Sequence, residues 1–257
     1  VNMTRCIVHI GWHKTGSTAL QMAAHNASRE LQAEGLYYPA MHHNHGPQIF
    51  SAVKKNQTIY FPEIFVAPQP YRAGLAVKES GQNFLDNAIN EAKGTDLFLS
   101  GEDLCLLCQQ EIGELRAQLK KAFKKIEIVA YVRNHDDYLD STFQQLIRMG
   151  FSIQELIETL RNETAVESRV RVMTLLPNYK ERIARWVSAF GNDNVHIHSY
   201  DHILNDGQDI ISHFTQAHLS EQTQRDLLLA KGKTKNRRFS CLAIQTLSAL
   251  HEETPLF

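Results

Sequence analysis

Short runs of consecutive apolar residues alternate along the chain with longer stretches in which apolar residues recur every three or four positions. The short runs are typical of buried strands in a parallel sheet, and the longer stretches are typical of amphipathic helices. The sequence predicts strands at 5–10, 96–100, 126–132 and 195–200. It predicts helices at 16–34, 82–93, 111–124, 136–149, 153–161, 177–190, 206–217 and 220–230. This alternation predicts an α/β fold in which helices flank a central parallel sheet, as a single domain over residues 1–257.

The segment 36–95 is predicted to be largely irregular, because residues 40–80 show little periodicity and contain several prolines and aromatic residues. An irregular segment of this length in a compact domain is usually functional. We expect it to contribute to the wall of an acceptor site. The histidines His42, His43 and His45 match no standard zinc spacing, and no metal site is expected.

Overall charge gives little indication of a polyanionic partner, since the net charge is −1 and the isoelectric point is near 7.0. Neither nucleic acid nor an anionic membrane is therefore an expected partner. The sequence contains no apolar run long enough to span a bilayer and no visible signal peptide. With four cysteines in no disulfide-like arrangement, a cytoplasmic location is expected.

The first predicted strand leads directly into a loop and a helix, through the segment Gly11-Trp12-His13-Lys14-Thr15-Gly16-Ser17-Thr18. A strand, turn and helix in this order direct backbone N–H groups and the positive end of the helix dipole to one place, which favours phosphate binding. The two glycines have Walker A spacing, but serine stands at position 17, where that motif has lysine. Lys14 lies earlier in the loop, where its ammonium group can contact one bridging oxygen of a short anionic donor. Such a donor would not need a metal.

Glu102 follows the second predicted strand, at the edge of the sheet where ligands usually bind. Three interpretations are open. Its carboxylate could hold Mg²⁺ as a Walker B acid does, could act as a general base, or could cap the following helix or lie in solvent.

The loop at 13–18, together with Gln21, resembles the donor loop of sulfotransferases that use 3′-phosphoadenosine 5′-phosphosulfate (PAPS). A second resemblance is Arg133 after the third predicted strand, with Ser141 in the next helix. A third is a run of aromatic residues and glycine between 179 and 201. Together they cover most of the chain. They imply the P-loop NTPase-like sulfotransferase fold, PAPS as donor and adenosine 3′,5′-bisphosphate (PAP) as product.

The resemblance also implies roles for individual residues. Lys14 would stabilise charge on the bridging oxygen of the donor. Four residues would hold the 5′-phosphate: Thr15, Gly16, Ser17 and Thr18. Three others would bind the remainder of the nucleotide, chiefly its 3′-phosphate: Arg133, Ser141 and Asn236. Glu102 is the first choice for the catalytic base and His45 the second.

The expected acceptor is a hydroxyl group, or as a second choice an amine, of a carbohydrate or glycolipid; other lipids and small molecules remain open. The chain departs from the family pattern at Asn134 and His135, where an acid and a proline are usual. It departs again at Arg238 and Phe239, in the basic segment 231–238 that contains Asn236.

Two other functions are consistent with the same loop. One is a kinase or NTPase, which would need a metal and the Walker lysine that position 17 lacks. The other is a non-catalytic module that binds a nucleotide or a nucleic acid, which would bind without turnover.

Overall fold

The computed structural model describes residues 4–53, 78–102, 104–148, 150, 152–154, 157–158, 177–230 and 241–253. Their contacts group them into two compact units. The larger unit contains the described residues up to 133 and those of 179–230. The smaller contains those of 134–178 and 241–253. A single domain over 1–257 stays a prediction.

In the described part of the chain, the larger unit contains one five-stranded parallel sheet. Its strands are β1 (Arg5–Gly11), β2 (Leu36–Tyr37), β3 (Asp96–Glu102), β4 (Lys125–Val132) and β5 (Val195–Ser199). They lie side by side in the order β2-β3-β1-β4-β5. The predicted α/β fold with a central parallel sheet is therefore confirmed. Because β1, β3 and β4 are adjacent and parallel, the residues that follow them meet at one edge.

Helices of the larger unit cover the sheet. They are α1 (Ser17–Asn26), α2 (Ser28–Ala33), α3 (Gly46–Val53), α4 (Lys78–Glu91), α5 (Gln109–Leu119), α7 (Tyr179–Phe190), α8 (Tyr200–Asn205), α9 (Ile210–His218) and α10 (Glu221–Leu229). The smaller unit contains α6 (His135–Arg148) and α11 (Cys241–Glu253). Among the described helices, none combines the length and the apolar character needed to cross a membrane.

One face of the sheet packs against α1, α2, α9 and α10 in a continuous apolar core. Ile7 of β1, Phe98 of β3 and Tyr131 of β4 contribute to this core from the sheet, and Leu20 and Phe214 contribute from the helices. All five are fully buried. The central strand β1 is thus flanked by β3 and β4 and covered by helices on one face, which anchors the start of the loop that follows it.

Three details differ from the sequence prediction. The predicted helix 16–34 is interrupted at Ala27, where φ is −94° and ψ is 11°. The segment 36–95 is less irregular than predicted, because its described residues include β2 and α3 as well as α4, which corresponds to the predicted helix at 82–93. A short helix, α8, follows β5 directly and was not predicted.

Candidate active site

The loop between β1 and α1 is closed by its own hydroxyl groups. Thr15 Oγ1 donates to the carbonyl oxygen of Trp12 at 2.7 Å, and Ser17 Oγ donates to the same oxygen at 3.3 Å. Both hydroxyls are buried. They therefore hold the loop in shape, and the backbone N–H groups at the start of α1 are suited to an anion.

Gly16 has a left-handed backbone, with φ of 78°, immediately before α1. A Cβ atom at this position would lie 3.0 Å from Cγ2 of Ile210 and 3.2 Å from Cε2 of Tyr200. Glycine is therefore required both by the backbone and by the close packing of α8 and α9 against the loop.

Lys14 is half-buried in the loop and also has a left-handed backbone, with φ of 64°. Lysine rarely adopts this conformation, which costs about 1–2 kcal/mol. Arg133 stabilises it, because its Nη1 donates to the carbonyl oxygen of Lys14 at 3.2 Å. The structure thus brings together two cations that the sequence separates by more than a hundred positions.

Arg133 directly follows β4, as predicted, and its contacts hold it beside the loop. Its Nε lies 3.4 Å from Oδ1 of Asp201, and its guanidinium lies 5.6 Å from the ring centre of Tyr200. Its backbone N–H donates to the hydroxyl of Tyr179 at 3.2 Å. An arginine held in this way suits an anionic group of a ligand at the loop.

Glu102 is the last residue of β3, so it lies beside the loop that follows β1. Thr18 Oγ1 donates to its Oε1 at 3.4 Å, and Nδ1 of His13 lies 3.8 Å from its Oε2. Its side chain is about one-fifth exposed. A partly exposed carboxylate next to the loop between β1 and α1 suits the acceptance of a proton from a molecule bound there.

His45 is completely buried, unlike a catalytic base that must reach its substrate. Its Nδ1 accepts from the backbone N–H of Ser100 at 3.2 Å, so Nε2 carries the proton and donates to the carbonyl oxygen of Pro39 at 2.9 Å. Burial lowers the pKa of His45 to about 4. Both ring nitrogens are thus occupied by backbone groups, and this placement argues against His45 as the base.

Two predicted donor residues lie outside the described part of the larger unit. Ser141 lies in α6, within the smaller unit, and is half-buried. Asn236 and the basic segment 231–238 lie outside the described residues. Their roles toward the 3′-phosphate stay predictions.

Sequence reasoning missed the residues that hold Arg133: Tyr179, Tyr200 and Asp201. Tyr200 and Asp201 directly follow β5, and the end of a parallel strand is a signal that could have identified them. Tyr179 gives no such signal, since it begins α7 and resembles a core residue. Burial raises the pKa of Tyr179 to about 12, which keeps its hydroxyl protonated at neutral pH.

The described residues contain no group of three or more His, Cys, Asp or Glu side chains arranged to hold a metal ion. Asp103, which follows Glu102 in the sequence, lies outside them.

No protein-family model matches the sequence, and no curated protein matches it either. Among solved structures, a sulfotransferase from Alicyclobacillus acidocaldarius is similar over 98% of this chain and 93% of its own, with a TM-score of 0.53 and 14% identity. A sulfotransferase domain from the curacin biosynthetic pathway covers 96% of this chain and 83% of its own, with a TM-score of 0.45 and 14% identity. The first establishes that the chain has the sulfotransferase fold; the second, below 0.5, adds nothing to that conclusion.

Proposed function

We propose that this protein transfers a sulfuryl group from PAPS to a hydroxyl group of an acceptor, and releases PAP. The observation that carries the proposal is the meeting of three groups at the edge of the sheet. Lys14 lies in the anion-binding loop, Arg133 binds the carbonyl of Lys14, and Glu102 accepts a hydrogen bond from the first turn of α1. Two cations and one partly exposed carboxylate suit an anionic donor and an acceptor that must lose a proton.

Each of these groups has a separate role in the proposed transfer. Backbone N–H groups at the start of α1 hold the 5′-phosphate, and Lys14 stabilises the negative charge on the bridging oxygen as the bond to sulfur breaks. Glu102 takes the proton of the acceptor hydroxyl while the oxygen of that hydroxyl forms a bond to sulfur. Arg133 and Ser141 bind the 3′-phosphate, and Asn236 contacts the donor nucleotide.

The acceptor that we propose is a carbohydrate or a glycolipid. A cavity of about 380 Å³ in the larger unit supports this choice, since amide groups and the phenyl ring of Phe84 line it. Its lining residues are Met41, His42, Gln48, Ser80, Asn83, Phe84 and Asn87. Amide side chains beside a ring suit a sugar, which has hydroxyl groups at its edge and C–H groups on its face. Transfer of label from radiolabelled PAPS to a panel of sugars, glycolipids, phenols and amines tests whether the acceptor is a carbohydrate or a glycolipid.

A kinase or NTPase remains the second candidate, because the hydrogen bond from Thr18 to Glu102 resembles the pairing of a Walker A hydroxyl with a Walker B acid. Calorimetric titration of one sample with PAP, and then with ATP and Mg²⁺, separates the two. We expect PAP to bind in the micromolar range and ATP to give little heat. The reverse preference would support the kinase, and tight PAP binding without turnover on the panel would support a non-catalytic module.

Replacing Arg133 with alanine is expected to weaken PAP binding by about 10- to 100-fold, the value of one or two charge-assisted hydrogen bonds. Binding of adenosine 5′-phosphate should weaken less, by under about tenfold, because that nucleotide lacks the 3′-phosphate and loses only the support that Arg133 gives to the loop at Lys14. Calorimetry measures both affinities. Arg133→Lys, which keeps the charge and loses the planar fork, should be intermediate, and Arg29→Ala on the exposed surface of α2 is the control. Equal weakening of the two nucleotides would contradict the assignment.

A further inference from the structure

Residues 44–46 lie along the last residues of β3, where the proposed base is located. The backbone N–H of His45 donates to the carbonyl of Ser100 at 2.8 Å, and the ring of His45 accepts from the N–H of Ser100. This segment therefore extends the hydrogen bonding of β3 beyond the short strand β2. It ends where α3 begins, at Gly46.

The side chain of Asn44 is the centre of this contact. Its Oδ1 accepts from the backbone N–H of Glu102 at 3.1 Å, from that of Gly46 at 2.9 Å, and from Nε2 of Gln21 at 3.4 Å. One oxygen atom thus connects the end of β3, the start of α3 and the first turns of α1. A backbone N–H held in this way restricts the φ angle of Glu102, and with it the direction of the carboxylate.

Close packing adds to the hydrogen bonds. A Cβ atom at Gly46 would lie 2.2 Å from the carbonyl oxygen of Glu102, and one at Gly101 would lie 2.7 Å from Cα of Gly46. The two backbones therefore touch, and no larger residue fits at either position. The end of β3 is fixed by contact as well as by Asn44.

We propose that Asn44 is a positioning residue for the transfer reaction, and that it acts by holding Glu102 in the orientation that accepts the proton. This inference rests on the proposed function, and specifically on Glu102 as the base. Asn44 itself does not touch the reacting atoms. It aligns the carboxylate toward the loop, where a misplacement of about 1 Å can reduce a rate by about 100-fold.

The test is a double-mutant cycle on the full chain, with the release of PAP from PAPS as the measured rate. Water serves as acceptor, or the best acceptor of the panel. Asn44→Ala alone should reduce kcat by about 10- to 100-fold, and Glu102→Gln alone by about 10²- to 10⁴-fold. In the Glu102→Gln background, Asn44→Ala should change kcat by less than about twofold, because the group through which it acts is gone.

Three controls make the result specific. Asn44→Asp keeps an oxygen acceptor at the same place and should recover most of the lost kcat. PAP affinity and the melting temperature show that each variant is folded with an intact donor loop. Asn90→Ala, on the exposed surface of α4, should leave the rate unchanged.

The outcomes separate the two proposals. If Asn44→Ala reduces kcat by the same factor with and without Glu102, or if Asn44→Asp fails to restore it, the positioning role is overturned while the base remains. If Glu102→Gln turns over as the wild type does, Glu102 is not the base and the inference fails with it. Failure of the wild-type protein to bind PAP would instead overturn the proposed function.

Discussion

Replacing Lys14 with alanine is expected to reduce the release of PAP from PAPS by about 10²- to 10³-fold, the usual effect of removing one group that stabilises developing charge in a transition state. Arg133 should stay in place, because its contact is with the backbone carbonyl at position 14, which alanine also has. The fold should change little, since alanine at this position inherits the same left-handed backbone that lysine has.

The measurement is single-turnover release of PAP at saturating donor, with the melting temperature recorded on the same sample. Lys93→Ala, which removes an exposed lysine between α4 and β3, is the matched control and should keep full activity. Lys14→Arg should retain part of the rate, because the charge remains while the geometry changes. Turnover within about threefold of the wild type in Lys14→Ala would contradict the proposed mechanism.

Acidification below pH 6.5 is expected to destabilise the larger unit steeply, because the fold buries histidines in their neutral form. Burial lowers the pKa of His198 and of His45 to about 4, and that of His218 and of His9 to about 3. Above pH 6.5 these rings are neutral in both states. As the pH falls toward 4, the unfolded chain binds protons and the folded chain does not, so the free energy of unfolding decreases.

His198 and His218 belong to a group of four histidines between β5 and α9, which we term the histidine cluster: His196, His198, His213 and His218. Nε2 of His198 and Nε2 of His218 are 3.0 Å apart, so one ring donates and the other accepts. Tyr131 of β4 bonds to His213 at 3.1 Å, and the charge of Arg5 further lowers the pKa of His218. If His198 and His218 were both protonated, two cations would be in contact.

Chemical unfolding measured from pH 7 to pH 4 tests this prediction. Each histidine that stays neutral in the fold contributes a slope of up to about 1.4 kcal/mol per pH unit. His218→Gln should reduce the slope of the free energy of unfolding against pH by up to about 1.4 kcal/mol per pH unit. Gln216→Ala, on the exposed side of α9, should not change this slope. A wild-type free energy of unfolding that is flat between pH 6.5 and 4.5 would contradict the expectation.

The parts of this structure that depend on local pattern could be predicted from the sequence. β1, the loop and the start of α1 follow from an apolar run, two glycines and a helical period, all within about twenty residues. β5 was expected at the edge of the sheet because its apolar residues alternate, and it pairs only with β4 in the described structure. Glu102 could be expected at the site because it ends a parallel strand, and Arg133 because its position after the next strand resembles the sulfotransferase pattern.

The parts that depend on distant contacts could not be predicted. His45 was the second choice for the base because it lies in a run, with Tyr38, Pro39 and Asn44, that resembles bacterial sulfotransferases. It is nevertheless buried and hydrogen-bonded to Ser100, more than fifty positions away. The break at Ala27 has no glycine or proline to signal it. Nothing in the local sequence indicates that Asn44 binds the end of β3, since that contact exists only when the chain is folded.

The contact between Gly46 and Gly101 has a consequence for anyone who wishes to change the acceptor of the proposed reaction. Residues 44–46 are fixed against the end of β3, so an exchange that includes them would disturb the carboxylate of Glu102. A grafted segment should therefore leave residues 44–46 unchanged. Cavity-lining residues outside that segment, such as Gln48 of α3 and Asn83 of α4, can be varied while Asn44, Gly46 and Gly101 are kept.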